Sequence, residues 1–366
     1  MWRLLMIALF SISLLGAAYV TWRFHKLGPI QKIAHKNRLL AWLVSLLPLA
    51  VSSCFLFINT ISFAVVLIHF VVIWALSDLI GLIARKIARR SFRRYWAGYV
   101  SLAVTVLWLG IGWLNAHHVF TVSYTFSSEK LSAPLRVALV ADSHLGITQN
   151  GASFAREMEK LQKQNPDILV LAGDFVDDDS SREDMLAACE ALGRFSCPYG
   201  VYFIYGNHDM GYFNYRNFSG EELSAALRAN GVTILSDQCE LIDNRFYIVG
   251  RLDRTFRNRA SMESLVSGLD GDKFMLVLDH QPNAYAEEAA AGADLVLSGH
   301  THGGHIFPAG QIGLLMGAND RRYGTETRNG TVFVVTSGIS GWAIPFKTGC
   351  FSEVVLIDLL PARSVH

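Results

Sequence analysis

Residues 293–305 read ADLVLSGHTHGGH, an apolar run that stops at a glycine and then presents His300, His302 and His305. Four other stretches share this design: LRVALVADSH at 135–144, PDILVLAGD at 166–174, GVYFIYGNHD at 200–209 and FMLVLDH at 274–280. Each reads as a buried strand that ends on Asp, Asn or His. One such ending is commonplace, but five predict strand ends that converge on one place. In open α/β sheets that place lies outside the carboxyl ends of the strands, where ligands collect.

Around these runs the chain alternates strands with helices. Helices are expected at 153–164, 183–192, 221–229, 261–267 and 285–291, with Pro166 stopping the first and Asn230-Gly231 capping the third. Strand-rich stretches at 232–235, 238–242 and 246–249, with late strands at 332–336 and 353–358, favour mixed sheets with covering helices over a purely parallel sheet. A polar, alternating stretch after Asn115 reads as an early strand leading off the preceding segment.

The side chains at the strand ends define a chemistry. Carboxylate, imidazole and amide donors without thiolate suit Mn, Fe or Zn better than Ca or a structural zinc. Two adjacent cations need a bridging anionic oxygen, which an Asp supplies. Such a pair lowers the pKa of bound water to roughly 7 and neutralises charge that builds on a phosphoryl group.

On these motifs, Asp142-Ser143-His144, Gly173-Asp174, Gly206-Asn207-His208-Asp209, Asp279-His280 and Gly299-His300-Thr301-His302-Gly303-Gly304, the segment from Leu135 to Asp358 resembles the calcineurin-like metallophosphoesterases. The membrane-bound branch with the GHTHGG signature is especially similar. The resemblance implies an α/β fold, a two-sheet sandwich flanked by helices. It implies that Asp142, His144, Asp174 and His302 bind one metal, and that Asp174 bridges to a second bound also by Asn207, His280 and His300. His208 would protonate the leaving oxygen or steady the phosphate, with Asp209 orienting it. The implied activity is metal-dependent hydrolysis of a phosphomonoester, phosphodiester or pyrophosphate, with two divalent ions (Mn, Fe or Zn) as cofactors. The rival reading is a non-catalytic metal-binding sensor or regulatory membrane protein.

Several neighbours stay open at this level. His305 either touches the substrate or replaces a polar rim group. Asp177-Asp178-Asp179 reads as a solvated loop rather than as further metal ligands. Arg251, Arg254, Arg257 and Arg259 suit either a substrate phosphate or a plain solvated surface. The glycine-punctuated loop with Trp342 and Phe346 suits a cleft wall.

The other end of the chain is different in kind. Of the 366 residues 51% are hydrophobic and only 17% charged, with a net charge of +1, and the apolar excess is confined to the first 115 or so positions. Four stretches there, Leu4–Val20, Leu39–Phe57, Ile61–Ile83 and Ala97–Asn115, approach the roughly 20 residues needed to cross a bilayer core. The expectation is therefore an all-α four-helix transmembrane region over residues 1–118, followed by an outer domain over 119–366. Basic residues crowd Arg23–Arg38 and Arg85–Arg94, while the turn at Asn59-Thr60 has none. Cationic short loops stay cytoplasmic, so the catalytic domain is expected outside the cytoplasm, at a plasma or inner membrane. The Arg85–Arg94 run is read as touching anionic lipid, and no nucleic acid is expected. The expected partners are the bilayer and a phosphorylated substrate, possibly a lipid. His69 and Asp78 are ionisable groups within spans. Asp78 lies within reach of water or of Arg85. The five cysteines match no zinc-finger spacing, and Cys189 with Cys197 is the nearest candidate pair.

Overall fold

The structure, a computed structural model, describes residues 2–89, 94–212 and 216–362. Arg90 and Arg93 of the second basic loop, and His366 at the end of the expected outer domain, lie outside the described residues. The chain divides into two compact units, Met1–Ile111 and Gly112–His366.

The first unit is helical. Its long helices are Trp2–His25, Thr60–Ala88 and the greater part of Trp96–His117. Among the described residues, three segments are long and apolar enough to cross a membrane: Arg38–Phe57, Thr60–Ala88 and Trp96–His117. The expected first span, Leu4–Val20, lies within Trp2–His25, where the side chains of residues 2–10 and 12 are outside the description. The expected span Leu39–Phe57 is not one continuous helix. It breaks into Arg38–Ser45, Leu47–Ser53 and a 3-10 turn at Cys54–Phe57. Pro48 enters at the break, where its missing N–H costs nothing. Asp78 pairs with Arg23 rather than with Arg85, and accepts from Tyr19 at 2.9 Å and Tyr95 at 2.8 Å. His69 is packed, its Nδ1 2.7 Å from the Val65 carbonyl.

The second unit is the expected sandwich of two mixed sheets. The first sheet holds, in spatial order, β1 (Val119–Ser128), β12 (Ser352–Pro361), β2 (Leu135–Val140), β3 (Ile168–Ala172), β4 (Val201–Ile204) and β5 (Val232–Ile234). The second holds β10 (Gly324–Arg328), β11 (Thr331–Val335), β9 (Leu295–Ser298), β8 (Phe274–Leu278), β7 (Phe246–Gly250) and β6 (Gln238–Ile242). Strands β2 to β5 are mutually parallel, as are β7, β8, β9 and β11, so each set ends on one side of its sheet.

The sandwich follows from the period-two alternation of strand side chains. Val137, Leu139, Ile168, Val170 and Ile204 of the first sheet share a core with Phe246, Ile248, Leu276, Leu278 and Leu297 of the second. The intervening Ala138, Val140, Leu169, Leu171 and Phe203 turn the other way and bury under helices Gly151–Gln162, Arg182–Gly193 and Gly220–Ala229. Tyr247, Val249, Met275, Val277 and Val296 do the same on the far side of the second sheet. Strands that are covered on both faces read as continuous apolar runs, which is why these motifs follow unbroken hydrophobic stretches. Each of the three covering helices starts where a side chain accepts a backbone N–H: Asn150, Ser181 and Ser219.

Candidate metal centre

The five motifs do meet. Asp142 and His144 follow β2, Asp174 follows β3, Asn207 and His208 follow β4, His280 follows β8, and His300 and His302 follow β9. The ladder continues past the strands and ties these turns together, with Asp142 N–H donating to Gly173 at 3.0 Å and Gly299 N–H to His280 at 3.0 Å. Two groups of ligand atoms result: Asp142, His144 and His302, then Asp174, His280 and His300, each within 4.8 Å. Each group draws on both sheets.

The backbone here is strained. Asp142, His144, Asp174, His300 and His302 all have φ between +36° and +70°. For residues bearing a side chain this left-handed region costs roughly 1–3 kcal/mol each and persists only where the surroundings impose it. Gly173, at φ +85°, shows the crowding that imposes it: an added Cβ would lie 2.7 Å from His280 Nδ1.

The imidazoles are aimed. His280 Nδ1 lies 2.7 Å from the Ala172 carbonyl, which can only accept, so the proton sits on Nδ1 and the Nε2 lone pair points inward. His144 Nδ1 is held the same way by the Asp177 carboxylate at 3.1 Å. Both Nε2 atoms are buried without a hydrogen-bond partner, as is Asn207 Oδ1. His280 Nε2 lies 3.1 Å and His144 Nε2 3.6 Å from the same Asp174 oxygen. Unsatisfied buried lone pairs around a shared carboxylate oxygen are costly unless something binds them. Residues of this kind fit divalent ions.

Electrostatics agree. Burial pushes Asp142 up to about 6. Burial acts on Asp174 too, but the neighbouring His280, His144 and His208 hold it well below the usual carboxylate range. Burial drives His300 down to about 4 and His302 well below the usual imidazole range, which keeps their lone pairs free near neutral pH. Burial opposes charge on His144 and His280 as well, but Asp177, Asp174 and Asp142 raise the first, and Asp174 and Asp142 raise the second well above the usual imidazole range. These buried carboxylates therefore draw positive charge to the site.

Asp209 does something other than orient His208. Its carboxylate accepts the backbone N–H groups of Asp174, Phe175 and Gly206 at 2.7–2.9 Å and of Val176 at 3.2 Å. It therefore fixes the turns that present Asp174 and Asn207. His208 is held instead through its own backbone, whose N–H donates to Asp174 Oδ1 at 2.8 Å. Its Nδ1 is buried without a partner. Its ring lies 5.1 Å from His144, 4.9 Å from Tyr212 and 5.5 Å from Trp342, which is half-exposed.

Other sequence readings change here. Asp177 is buried beside His144 and is not part of a solvated loop, whereas Asp179 is exposed. Of the four arginines, Arg251 is neither solvated nor free for substrate. It is 1% exposed and bonded to Asp279, Glu287 and Glu288, while Arg259 also pairs with Asp279. Arg254 and Arg257 are exposed. His305 is half-buried, its ring 5.3 Å from His302. All five cysteines are free.

Lys347 was not singled out from the sequence. It is fully buried, its Nζ donating to Ser337 at 2.6 Å and Gly338 at 3.2 Å. Gly338 packs so tightly on Asp142 that an added Cβ would sit 2.6 Å from the Asp142 Cβ. The lysine thus secures the loop behind a candidate ligand. A lone cation in the apolar, aromatic run IPFKTG was the available signal.

Residues 135–304 match the calcineurin-like phosphoesterase family model. The chain carries a calcineurin-like metallophosphoesterase domain. A transmembrane protein with metallophosphoesterase domain from Danio rerio is 28% identical over 324 residues, spanning 81% of this chain and 71% of that protein. An uncharacterised metallophosphoesterase from Aquifex aeolicus is 27% identical across 67% of this chain and 94% of its own length. The uncharacterised metallophosphoesterase YkuE of Bacillus subtilis is 25% identical across 61% and 79%. Metallophosphoesterase domains bind divalent metals and are generally hydrolases, and the two ligand groups described above lie in this domain.

Proposed function

We propose that this protein is a membrane-anchored phosphoesterase that uses two divalent metal ions. The observation that carries the reading is two adjacent ligand groups, with the unpartnered Nε2 atoms of His144 in one and His280 in the other both turned toward the same Asp174 oxygen. Asp142, His144, Asp174 and His302 would hold one ion, and Asp174, Asn207, His280 and His300 the other. When bound, such ions polarise water and neutralise phosphoryl charge.

The remaining work falls to the chain's own side chains. His208 lies beside His144 of one group and Asp174 of the other, where it would hand a proton to the departing oxygen. Asp177 and the Ala172 carbonyl keep His144 and His280 in the tautomer that leaves Nε2 free. Asp209 is a positioning residue that braces the Asp174 and Asn207 turns. Trp342 and Tyr212 border His208 and would line the apolar side of a substrate.

Four membrane helices, basic loops in the cytoplasm and a catalytic domain outside form the topology that the loop charges support. A cleft tethered at the membrane suits a lipid-linked or cell-envelope phosphoester or pyrophosphate. The test is hydrolysis of bis(p-nitrophenyl) phosphate by the purified full-length protein with Mn, before and after chelation, beside the Asp174→Ala variant. Turnover that survives both chelation and the substitution would defeat the reading. Reporter fusions placed after Asn115 check the topology, and a reporter active only in the cytoplasm would reverse it.

A further inference from the structure

Residues 303–319 contain no Asp, Glu, Lys or Arg. Within them runs a short helix, Ala309–Leu315, that has no buried residue. Its apolar side chains point into solvent: Leu315 is 87% and Met316 80% exposed, with Phe307 and Ile312 about half-exposed and Leu314 at 43%. Soluble surfaces seldom gather so many large apolar groups in one short segment unless another apolar phase covers them.

Two attachments say which phase. First, the helix is clasped to the metal-site turn, because Gly304 and Gly310 touch so closely that a Cβ added to Gly304 would lie 2.9 Å from the Gly310 Cα. Second, Thr348 joins the segment to the end of the apolar helix Trp96–His117. Its Oγ1 accepts the Phe307 N–H at 3.1 Å, while its methyl group would meet a Cβ on Gly112 at 2.8 Å. The Lys347 N–H donates to the Gly112 carbonyl at 2.8 Å, and Trp113 packs edge-on against Phe346 at 5.6 Å. Through Thr348 the exposed segment is therefore tied to Gly112, in the last two turns of a candidate membrane span.

We propose that Phe307–Met316 is an interfacial membrane-docking element, its apolar side chains seated in the bilayer surface beside the helix end. The occupant is lipid rather than protein, because Thr348 and Lys347 tie the segment to the end of a helix whose own length and apolarity fit a bilayer. Docking here sets the His302-Gly303-Gly304 turn, and with it the candidate metal centre, at the level of lipid headgroups. The inference rests on the membrane reading and not on hydrolysis.

The experiment uses the full-length protein in phosphatidylcholine nanodiscs, with Cys54→Ser and Cys239→Ser, and a single NBD fluorophore placed through Leu315→Cys. The same parent without Leu315→Cys reports background labelling, and Glu159→Cys on the exposed face of helix Gly151–Gln162 is the control site. We expect blue-shifted emission at 315 and about twofold or greater quenching by doxyl-labelled lipid, with neither at 159, as for side chains held several ångströms into the interface. Water-like emission at 315 would overturn the proposal. So would a blue shift without lipid quenching, which would mean that a second copy or another protein covers the patch. No phosphoester is turned over in this measurement, so quenching at 315 in a protein that fails the bis(p-nitrophenyl) phosphate assay would count against the phosphoesterase reading alone.

Discussion

The two sheets of the second unit bring different side chains to one candidate metal centre. The first supplies the acids Asp142 and Asp174 and one imidazole, His144, with the unpartnered Asn207 Oδ1 on the turn after β4. The second supplies only imidazoles, from His280, His300 and His302. They are also braced differently. In the first sheet a carboxylate, Asp209, gathers backbone N–H groups. In the second a guanidinium, Arg251, gathers the carboxylates of Asp279 and Glu288 beneath His280. Neither sheet carries a full candidate ligand set, so the candidate centre exists only while the sandwich is closed. Any binding energy of ions held there would become folding energy of the sheet pair.

The sharpest way to break this comparison is Asp174→Ala, which removes the carboxylate that imidazoles of both groups face. We expect turnover to fall roughly 10³-fold or more, since several kcal/mol of charge stabilisation are lost at 1.4 kcal/mol per decade. Bound metal measured by plasma emission should fall with it, and full retention of metal would show that the sheets hold their ions independently. Next comes His208→Ala. Turnover should drop about 10²-fold or more, within the range for a lost general acid, with metal content unchanged. If the metal leaves too, His208 is a ligand and the division of labour is wrong.

Arg251→Met addresses the second sheet alone. Breaking a buried ion cluster by removing one partner leaves carboxylates uncompensated, a loss of about 3–5 kcal/mol. Denaturant titration should show that loss, and a change under 1 kcal/mol would mean that Arg259 suffices. The smallest effect is expected for Asp177→Asn, which weakens the grip on the His144 tautomer. Metal affinity by competitive chelator titration should fall about 10- to 100-fold, and an unchanged affinity would leave Asp177 a merely buried acid.

The strand ends were legible because two physical demands coincide there. Strands covered on both faces must be apolar throughout, and a ligand placed after them interrupts that run visibly, as in ADLVLSGHTH. What escaped the sequence was charge that is buried through distant partners. Arg251 reads as surface among RLDRTFRNR because its acids lie at 279, 287 and 288. Asp177 hides in a run of three acids of which it alone reaches His144. Charged residues are so seldom buried that solvent is the default assignment. The edge strand β10, GTETR, also went unseen, since it has no apolar face and is recognisable only by its pairing with β11. The break near Pro48 was overlooked for the opposite reason, because apolarity alone does not distinguish one helix from two.

The position of β12 has a consequence for biogenesis. It lies between β1 and β2, paired to both, although some 220 residues of chain separate it from β2. A nascent polypeptide therefore emerges with its apolar anchor, its aspartates and its histidines long before the sheet that organises them can be sealed. Loss of the last dozen described positions would leave β1 unpaired and bare the edge of β2, and a ribosome stalled before them would expose that unsealed edge to whatever chaperones are at hand.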